Sequence, residues 1–359
     1  MTEPEDAALH AAVERALSQS IRGLREVRRD ELDYDAFLAH RAVRRVHGYA
    51  DADDGRVPWS LIEKITEGPH LAVPYLTDNG EREYAAYASG LLDDLAPAVR
   101  APLVYGSAVD DHGRIVLWLE EIEHEGGRPL GADALLAAAR DLGGLSGRWL
   151  GEDLGATWLF RGWIERHSQP QNVVAGLATV RRRSPQVVER LGWRLEAAEQ
   201  LILGQRRVRE VLEALPQTLC HHDAVGANVF RAAGRTVLID WESVGPGTVG
   251  ADLASLLFSP RRGDARSAVV IEQFEAAVAA YTEAVAAEAT TPVPAADIRR
   301  GVDAAIALRW KLIVDVADSM ERGEASRRGS LPDESPEDAL EDHLMLVDVL
   351  LAAAARVLD

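Results

Sequence analysis

The residues best suited to chemistry stand close together near position 230. His221 and Asp223 are followed, after four spacer residues, by Asn228. An apolar segment then leads to Asp240. One carboxylate can orient an attacking hydroxyl, while an amide oxygen and a second carboxylate are ligands for a hard cation that bridges phosphates. This order favours phosphoryl transfer from a metal-bound nucleotide over a solvated loop in which H-x-D occurs by chance.

The chemistry assigns a role to each of these positions. We expect Asp223 to accept or orient the proton of the attacking hydroxyl, and Asn228 and Asp240 to bind Mg²⁺. Gly234 stands between two short segments, V-F-R and T-V-L-I-D, and this pattern predicts the turn of a β-hairpin. Such a hairpin brings Asn228 and Asp240 towards one edge.

The same residues resemble a known sequence pattern. The family of aminoglycoside phosphotransferases and choline kinase-like proteins carries H-G-D-x-x-x-x-N followed by a strand similar to I-D-W-E. Here the chain reads H-H-D-A-V-G-A-N and then I-D-W-E, with His222 in place of the glycine. The resemblance implies that Asp223 and His221 are catalytic. It also implies that Asp252, in the following G-A-D segment, is a structural carboxylate at the start of a helix.

The resemblance implies an α+β fold of the bilobal, protein-kinase-like class. Residues 1–122 are expected to form a nucleotide-binding lobe, a small antiparallel sheet with one main helix and a helical extension over residues 7–27. Residues 123–359 are expected to form a larger, mostly helical lobe for catalysis and acceptor binding. Polar or proline-rich breaks interrupt this second region near residues 168, 289 and 327.

The nucleotide-binding lobe is expected to supply a lysine on a strand and a glutamate on the next helix. The chain has only two lysines, Lys64 and Lys311, and Lys64 ends the strand-like segment P-W-S-L-I-E-K. A compact ammonium grips phosphate differently from a guanidinium fork. We therefore predict that Lys64 binds the α- and β-phosphates and that Glu83 orients it. An exposed edge-strand charge is the alternative for Lys64, and Glu81 is the alternative to Glu83.

One further nucleotide contact follows from the resemblance. Glu120, Glu121 and Ile122 correspond to the hinge between the lobes, whose backbone would hydrogen-bond the purine. Side chains there do not discriminate between purines, so both ATP and GTP fit the sequence.

Glycine patterns are less informative. The phosphate-covering loop of the resemblance corresponds to residues 36–48, which contain a single glycine. His40 and Arg41 are candidates for phosphate contacts there, although a solvated basic turn fits the sequence better.

The segment G-P-G-T-V-G at residues 245–250 satisfies the dinucleotide-binding pattern G-x-G-x-x-G. No clear strand follows to complete a βαβ unit, so we reject a dinucleotide-binding fold.

The composition limits the partners and the compartment. The net charge of −19 disfavours nucleic acids and anionic membranes. No apolar run approaches membrane-spanning length, and the acidic N-terminus lacks the pattern of a signal peptide. The single cysteine excludes cysteine-based zinc motifs and disulfides, so we expect a cytoplasmic protein. The acidic balance is equally compatible with a cationic acceptor and with ordinary solubility.

The acceptor is the least determined feature. Glu242, Asp315 and Asp318 could contact it, although a solvated helix face fits the last two better. Four tryptophans could line a pocket but are more typical of a core: Trp158, Trp163, Trp241 and Trp310. The resemblance implies an ATP- or GTP- and Mg²⁺-dependent phosphotransferase acting on a hydroxyl of a small molecule, such as an aminoglycoside or related natural product.

Two alternatives stay open. The first is a kinase for Ser or Thr hydroxyls of a biosynthetic peptide. The second is a non-catalytic kinase-like protein that binds nucleotide or a partner chain, which His222 and the glycine-poor loop would favour.

Overall fold

The computed structural model describes residues 3–32, 41–66, 80–127, 129–323, 331 and 334–359. The chain forms two compact units, Met1–Asp94 with Arg100–Glu123, and Leu95–Val99 with His124–Asp359. The first unit is built mainly on a sheet and the second mainly on helices. The assignment of nucleotide binding to residues 1–122 and of catalysis to residues 123–359 stays a prediction.

The N-terminal part of the chain forms one antiparallel sheet with two helices. Its elements are α1 (Glu3–Leu17), β1 (Ile21–Glu31), β2 (Arg41–Ala52), β3 (Gly55–Thr66), α2 (Gly80–Ala88), β5 (Val104–Val109) and β6 (Ile115–Leu119). The two-residue strand β4 (Val99–Arg100) precedes β5 but is not part of this sheet. The sheet has the order β1-β2-β3-β6-β5. Helix α1 packs Leu9 and Val13 on one face, against Leu61 and Trp118. Because side chains alternate along a strand, Lys64 projects from the opposite face.

The prediction of a helix over residues 7–27 is wrong beyond Leu17. Helix α1 ends there, Ser18 has a φ of +52°, and β1 begins at Ile21. The segment is rich in Arg, Glu and Leu, which favour helices, but its backbone pairs with β2, for example Arg29 with Val46. The pairing of whole strands therefore outweighs local helix propensity in this segment.

The second unit is mostly helical. Its helices are α3 (Ala132–Arg148), α4 (Trp163–His167), α5 (Pro170–Arg182), α6 (Pro185–Leu191), α7 (Arg194–Leu203), α8 (Gln205–Ala214), α9 (Ala251–Phe258), α10 (Ser267–Glu288), α11 (Ala295–Ala307), α12 (Lys311–Arg322) and α13 (Pro336–Leu358). Gly143 of α3 lets α10 approach closely, since a Cβ there would lie 2.4 Å from the carbonyl oxygen of Tyr281. The predicted breaks near 168 and 289 fall between helices, and the one near 327 lies outside the described residues.

Four short strands interrupt these helices near the predicted catalytic segment. They are β7 (Gln217–Cys220), β8 (Val229–Ala232), β9 (Arg235–Leu238) and β10 (Gly245–Thr248). Strands β8 and β9 form the predicted hairpin, with Ala233 and Gly234 at φ of +50° and +71° in its turn. Positive φ at both positions is typical of a type I′ turn, which matches the twist of the two strands. Strand β10 pairs antiparallel with β7.

The glycines of the G-x-G-x-x-G segment allow close approach of neighbouring backbone and tight turns. A Cβ at Gly245 would lie 2.0 Å from the carbonyl oxygen of Phe160, and Gly250 has a φ of +94°. Because β10 pairs antiparallel with β7, this segment does not form a parallel βαβ unit, which supports the rejection of a dinucleotide-binding fold. Within the described ranges, no helix has the length and apolar character needed to cross a membrane.

Candidate active site

A buried aspartate fixes the loop that follows β7. Asp252, in the first turn of α9, accepts hydrogen bonds from the backbone N–H groups of His221 and His222 at 2.7 and 2.8 Å. Its side chain lies in the interior, and burial raises its pKa. The two hydrogen bonds favour the charged form and offset part of that cost. Asp252 is therefore structural, as the resemblance implies, and it holds the segment that carries Asp223.

His221 is locked in place. Its Nε2 lies 2.9 Å from the carbonyl oxygen of Ile239, and its Nδ1 accepts a hydrogen bond from the N–H of Asp223 at 3.2 Å. A neutral imidazole that carries its hydrogen on Nε2 makes both contacts. The ring is fully buried and meets Trp241 edge-on at 4.6 Å. Both ring nitrogens are used inside the protein, which fits a positioning role for His221, and its expected catalytic role stays a prediction.

His222 replaces the glycine of the family pattern by adopting glycine-like backbone geometry. Its φ is +64°, a conformation that costs a non-glycine residue about 1–2 kcal/mol. The ring stacks on Trp163 at 5.0 Å and its Nε2 lies 3.1 Å from the carbonyl oxygen of Pro246. A Cβ at Gly247 would lie 2.3 Å from the ring, so the missing side chain at Gly247 makes space for it. The strain is thus offset by packing.

Asp223 is held from two sides and stays 23% exposed. The Nδ2 of Asn228 donates to both the backbone oxygen and Oδ2 of Asp223 at 2.9 Å. The guanidinium of Arg262 donates to Oδ1 at 2.8 Å and to Oδ2 at 3.2 Å. A carboxylate has about four lone-pair positions, so these three side-chain hydrogen bonds leave room for a hydroxyl. Sequence reasoning missed Arg262, because nothing in R-R-G marks it as a site residue.

The hairpin places Asp240 beside Asn228. The N–H of Ile239 donates to the carbonyl oxygen of Asn228 at 3.1 Å, which continues the β8–β9 pairing to the end of the catalytic loop. Asp240 itself has a φ of +69°, and non-glycine residues held in this region cluster at functional sites.

The donor set suits Mg²⁺. Asn228 donates through its amide nitrogen to Asp223. Its amide oxygen is therefore the atom that could bind a metal. Among the described residues no group of three or more His, Cys, Asp or Glu could hold a metal. Mg²⁺ commonly binds through one or two protein oxygens together with substrate phosphates. Asn228 and Asp240 carry oxygens of this kind, and their role as metal ligands stays a prediction.

In the first unit, Lys64 and Glu83 form a buried ion pair. Lys64 Nζ lies 2.6 Å from Glu83 Oε2, and the side chains are 9% and 2% exposed. Lys64 belongs to β3 and Glu83 to α2, so the pair joins the sheet to the helix. The alternative of an exposed edge-strand lysine is excluded. Glu83, rather than Glu81, is the residue that meets Lys64 in this pair.

The segment predicted to contact the purine is partly engaged within the first unit. The backbone N–H of Glu120 donates to the carbonyl oxygen of Leu103 at 2.9 Å, and its side chain pairs with Arg100. The carboxylate of Glu121 binds Arg45 and Ser60. The backbone of Glu121 and Ile122 is therefore better suited to a purine than the N–H of Glu120.

A cleft of about 580 Å³ opens on the Lys64 face of the sheet. Its lining includes Arg28, Arg45, His47 and Ser60, which the strand register places on the same side as Lys64. The expected phosphate-covering loop lies partly outside the described residues, including His40. Arg41, the other candidate for a phosphate contact, begins β2.

The candidate acceptor residues have varied surroundings. Asp318 pairs with Arg182 of α5, so its carboxylate joins two helices. Trp241 and Trp310 are core residues, each at most 1% exposed. Trp163 lies against the catalytic loop through its contact with His222.

Comparisons with known proteins agree with this architecture. The model of the APH family, described as a phosphotransferase enzyme family, matches residues 17–289. Among solved structures, a choline kinase from Cryptosporidium parvum Iowa II is 12% identical, with 92% of this chain and 89% of that chain covered and a TM-score of 0.51. An aminoglycoside phosphotransferase from Alicyclobacillus acidocaldarius is 14% identical, with 95% and 93% covered and a TM-score of 0.51.

At these identities the likeness to solved structures shows the fold alone. It confirms the predicted α+β, protein-kinase-like class with a small antiparallel sheet in the N-terminal region and a larger helical region. None of the curated proteins matches the chain.

Proposed function

The chain belongs to the phosphotransferase enzyme family, and we propose that it transfers the γ-phosphoryl group of ATP or GTP to a hydroxyl of a small molecule with the help of Mg²⁺. The observation that carries this proposal is the arrangement around Asp223. Its carboxylate accepts from Asn228 at 2.9 Å, and the backbone of Asn228 pairs with Ile239 beside Asp240. A carboxylate that can orient a hydroxyl therefore lies in the same segment as two residues, Asn228 and Asp240, whose oxygens are of the kind that Mg²⁺ prefers.

Each residue has a distinct part in this reaction. Asp223 accepts a hydrogen bond from the attacking hydroxyl, aligns it with the phosphorus and takes up its proton as the bond forms. Asn228 and Asp240 would hold Mg²⁺, which supplies charge neutralisation across the nucleotide phosphates when bound. His221 and Asp252 fix the loop backbone and so limit the positions that Asp223 can adopt.

In the first unit, Lys64 binds the α- and β-phosphates and Glu83 holds its ammonium in place. Glu121 and Ile122 offer backbone groups to the purine, with Glu120 contributing its carbonyl. A cleft with the size of a small-molecule site opens on the same face of the sheet, lined by Arg45 and Ser60 rather than by Lys64 itself.

The test is Mg²⁺-dependent formation of ADP or GDP across a panel of hydroxyl acceptors. The panel contains amino alcohols, sugars, hydroxy acids, aminoglycosides and hydroxyl-bearing peptides, each with and without EDTA. The proposal predicts turnover that requires both Mg²⁺ and an acceptor. Tight nucleotide binding without turnover in any mixture would support the non-catalytic alternative, and turnover only with peptides would support the peptide-kinase alternative.

A further inference from the structure

One arginine of the second unit binds Asp223, and two others from separate elements are sensitive to its charge. Arg166 lies on α4, Arg262 in the 3₁₀ turn Pro260–Gly263, and Arg309 in the connection between α11 and α12. Arg262 binds both carboxylate oxygens of Asp223 at 2.8 and 3.2 Å. The charge of Asp223 also acts on Arg166 and Arg309. This cluster stands beside the group proposed to orient the acceptor hydroxyl.

The fold builds the cluster through close packing. A Cβ at Gly263 would lie 2.9 Å from the Cα of Gly226, so two glycines bring the Arg262 turn against the catalytic loop. The next arginine along the turn, Arg261, is buried and pairs with Asp342 at 2.8 Å and with Glu334. Arg261 thus anchors the turn, while Arg262 reaches Asp223.

The other two arginines are tied to the same region. The indole N–H of Trp310 donates to the carbonyl oxygen of His167 at 3.2 Å, which joins the end of α4 to the residue after Arg309. Trp163, at the start of α4, stacks on His222 of the catalytic loop. Arg309 donates to Ser255, and its buried Nε has no hydrogen-bond partner among the described residues.

These cations repel one another. Burial lowers the pKa of Arg309 to about 10, the charge of Asp223 opposes that shift, and the charges of Arg262 and Arg166 add to it. Burial likewise lowers the pKa of Arg166, against the charges of Asp223 and Glu242. Like charges that lie close together in a desolvated place repel one another, which costs free energy. Such arrangements are common at functional sites.

The nearby carboxylates have other tasks. Asp252, which also acts on Arg309, accepts the backbone hydrogen bonds of the catalytic loop. Asp223 must turn towards the acceptor hydroxyl during transfer. Glu242 is the remaining carboxylate that acts on Arg166. An additional anion would therefore reduce the repulsion among the three arginines during phosphoryl transfer.

We infer that the hydroxyl acceptor carries a carboxylate or phosphate group, which Arg262, Arg166 and Arg309 bind beside Asp223. This inference rests on the proposed phosphotransferase function. A guanidinium fork matches either anion with two parallel hydrogen bonds. Binding of the anion draws Arg262 partly away from Asp223, which gives the carboxylate further lone-pair positions for the acceptor hydroxyl. An anionic acceptor differs from the cationic acceptor with which the net charge of −19 is compatible.

The kinetic test uses acceptors matched in size. Hydroxy carboxylic acids and hydroxyalkyl phosphates are compared with their amide, alcohol and amine counterparts. We expect kcat/KM to favour the anionic members by about 10- to 100-fold, the effect of one or two charge-assisted hydrogen bonds. The two anionic series show whether carboxylate or phosphate is preferred. Equal or better use of neutral or cationic acceptors would overturn the inference and leave the proposed function intact.

Two variants of similar exposure provide the control. Arg262→Ala should raise the KM for an anionic acceptor by about 10- to 100-fold with little change in the KM for ATP. Arg262→Lys keeps the charge without the fork and should be intermediate. Arg266, also 52% exposed, pairs with Glu334 instead of Asp223, so Arg266→Ala should match wild type. A higher KM for ATP in Arg262→Ala, with the acceptor KM unchanged, would assign the cluster to the nucleotide and contradict the inference.

A binding measurement tests, without turnover, whether Arg262 binds an anion. Calorimetry with glycolate and with inorganic phosphate, both in the presence of Mg²⁺-ADP, should show weaker binding to Arg262→Ala than to wild type and to Arg266→Ala. Equal binding to all three proteins, or no binding, would overturn the inference. Absence of transfer to every acceptor in the presence of such binding would instead count against the proposed function alone.

Discussion

Asp223 and its neighbours account for the chemistry at the scale of single residues. The H-x-D-x-x-x-x-N spacing predicted that Asp223 and Asn228 act together, and the structure joins them by a hydrogen bond of 2.9 Å. The arginine bound to this carboxylate and the two others influenced by its charge could not be predicted, because Arg166, Arg262 and Arg309 are far apart in sequence. Only packing of the catalytic loop against the 3₁₀ turn brings Arg262 to Asp223.

His222 shows how a residue that departs from a family pattern can be accommodated. The substitution of a bulky ring for glycine left the loop geometry open at the level of sequence. The structure keeps the glycine-like φ of +64° and places the ring over Gly247, which lacks a side chain. The two positions are complementary, although they lie 25 positions apart in the chain.

The buried ring gives a pH-dependent contribution to stability. Burial lowers the pKa of His222 from 6.5 to about 3. Between these values the unfolded chain binds the extra proton, so stability is fully present above pH 6.5 and falls as the pH is lowered towards 3. We expect His222 to account for a loss of about 2 kcal/mol in the free energy of unfolding between pH 6.5 and about 5.

His222→Gly should remove that contribution while keeping the backbone conformation. Urea unfolding of both proteins across this pH range measures it, and the difference in stability between variant and wild type should shift in favour of the variant as the pH falls. Desolvation also lowers the pKa of His167, so some acid sensitivity should persist in the variant. A constant difference at every pH would show that His222 does not titrate in this way.

At the scale of elements, the sequence was most informative where a motif and a local pattern agreed. The hairpin around Gly234 follows from its turn residues, and the ion pair of Lys64 and Glu83 follows from a family pattern placed on a strand and a helix. The failure of the helix prediction after Leu17 has a physical cause, since pairing with β2 determines the conformation of β1. Single-sequence propensity does not contain that pairing.

The contact between β3 and α2 leads to a prediction about Lys64. Its side chain is 9% exposed and its ammonium lies 2.6 Å from Glu83. The wider guanidinium of Lys64→Arg cannot occupy the same space with the same reach. We expect Lys64→Arg to impair kcat/KM for ATP nearly as much as Lys64→Ala, despite keeping the charge. Steady-state kinetics of both variants, with circular dichroism to verify folding, provides the measurement.

Lys311→Arg is the matched control, because it changes the only other lysine of the chain. It should leave the KM for ATP unaltered. Full activity of Lys64→Arg would remove the phosphate-binding role of Lys64 and reduce its pair with Glu83 to a structural contact.

At the scale of the whole molecule, the family match and the two units identify a kinase-like architecture, and the nucleotide should stabilise it. A ligand that binds only the folded protein adds about 2.7 kcal/mol at a concentration ~100 times its Kd. We expect Mg²⁺-ATP to raise the Tm of wild type by clearly more than ATP raises it in the presence of EDTA. Asp240→Ala should lose the Mg²⁺-dependent part, because its carboxylate is a proposed ligand of the metal.

Asp240→Asn refines the same experiment. Asn tolerates positive φ well, so this variant keeps the backbone at +69° while it removes the charge. It should retain the wild-type Tm without ligand and lose most of the Mg²⁺-dependent increase. A Mg²⁺-dependent increase equal to that of wild type in both variants would exclude Asp240 from metal binding.

The most direct test of the central claim follows the phosphoryl group itself. Phosphorus NMR of wild-type protein with Mg²⁺-ATP and an acceptor from the panel should show a new phosphate-ester resonance on the acceptor as the γ-phosphate signal of ATP decays. In Asp223→Asn, ATP should still bind, but the rate of ester formation should fall by ~10²–10⁴-fold, the usual contribution of a positioned general base. Ester formation at the wild-type rate in Asp223→Asn would contradict the account.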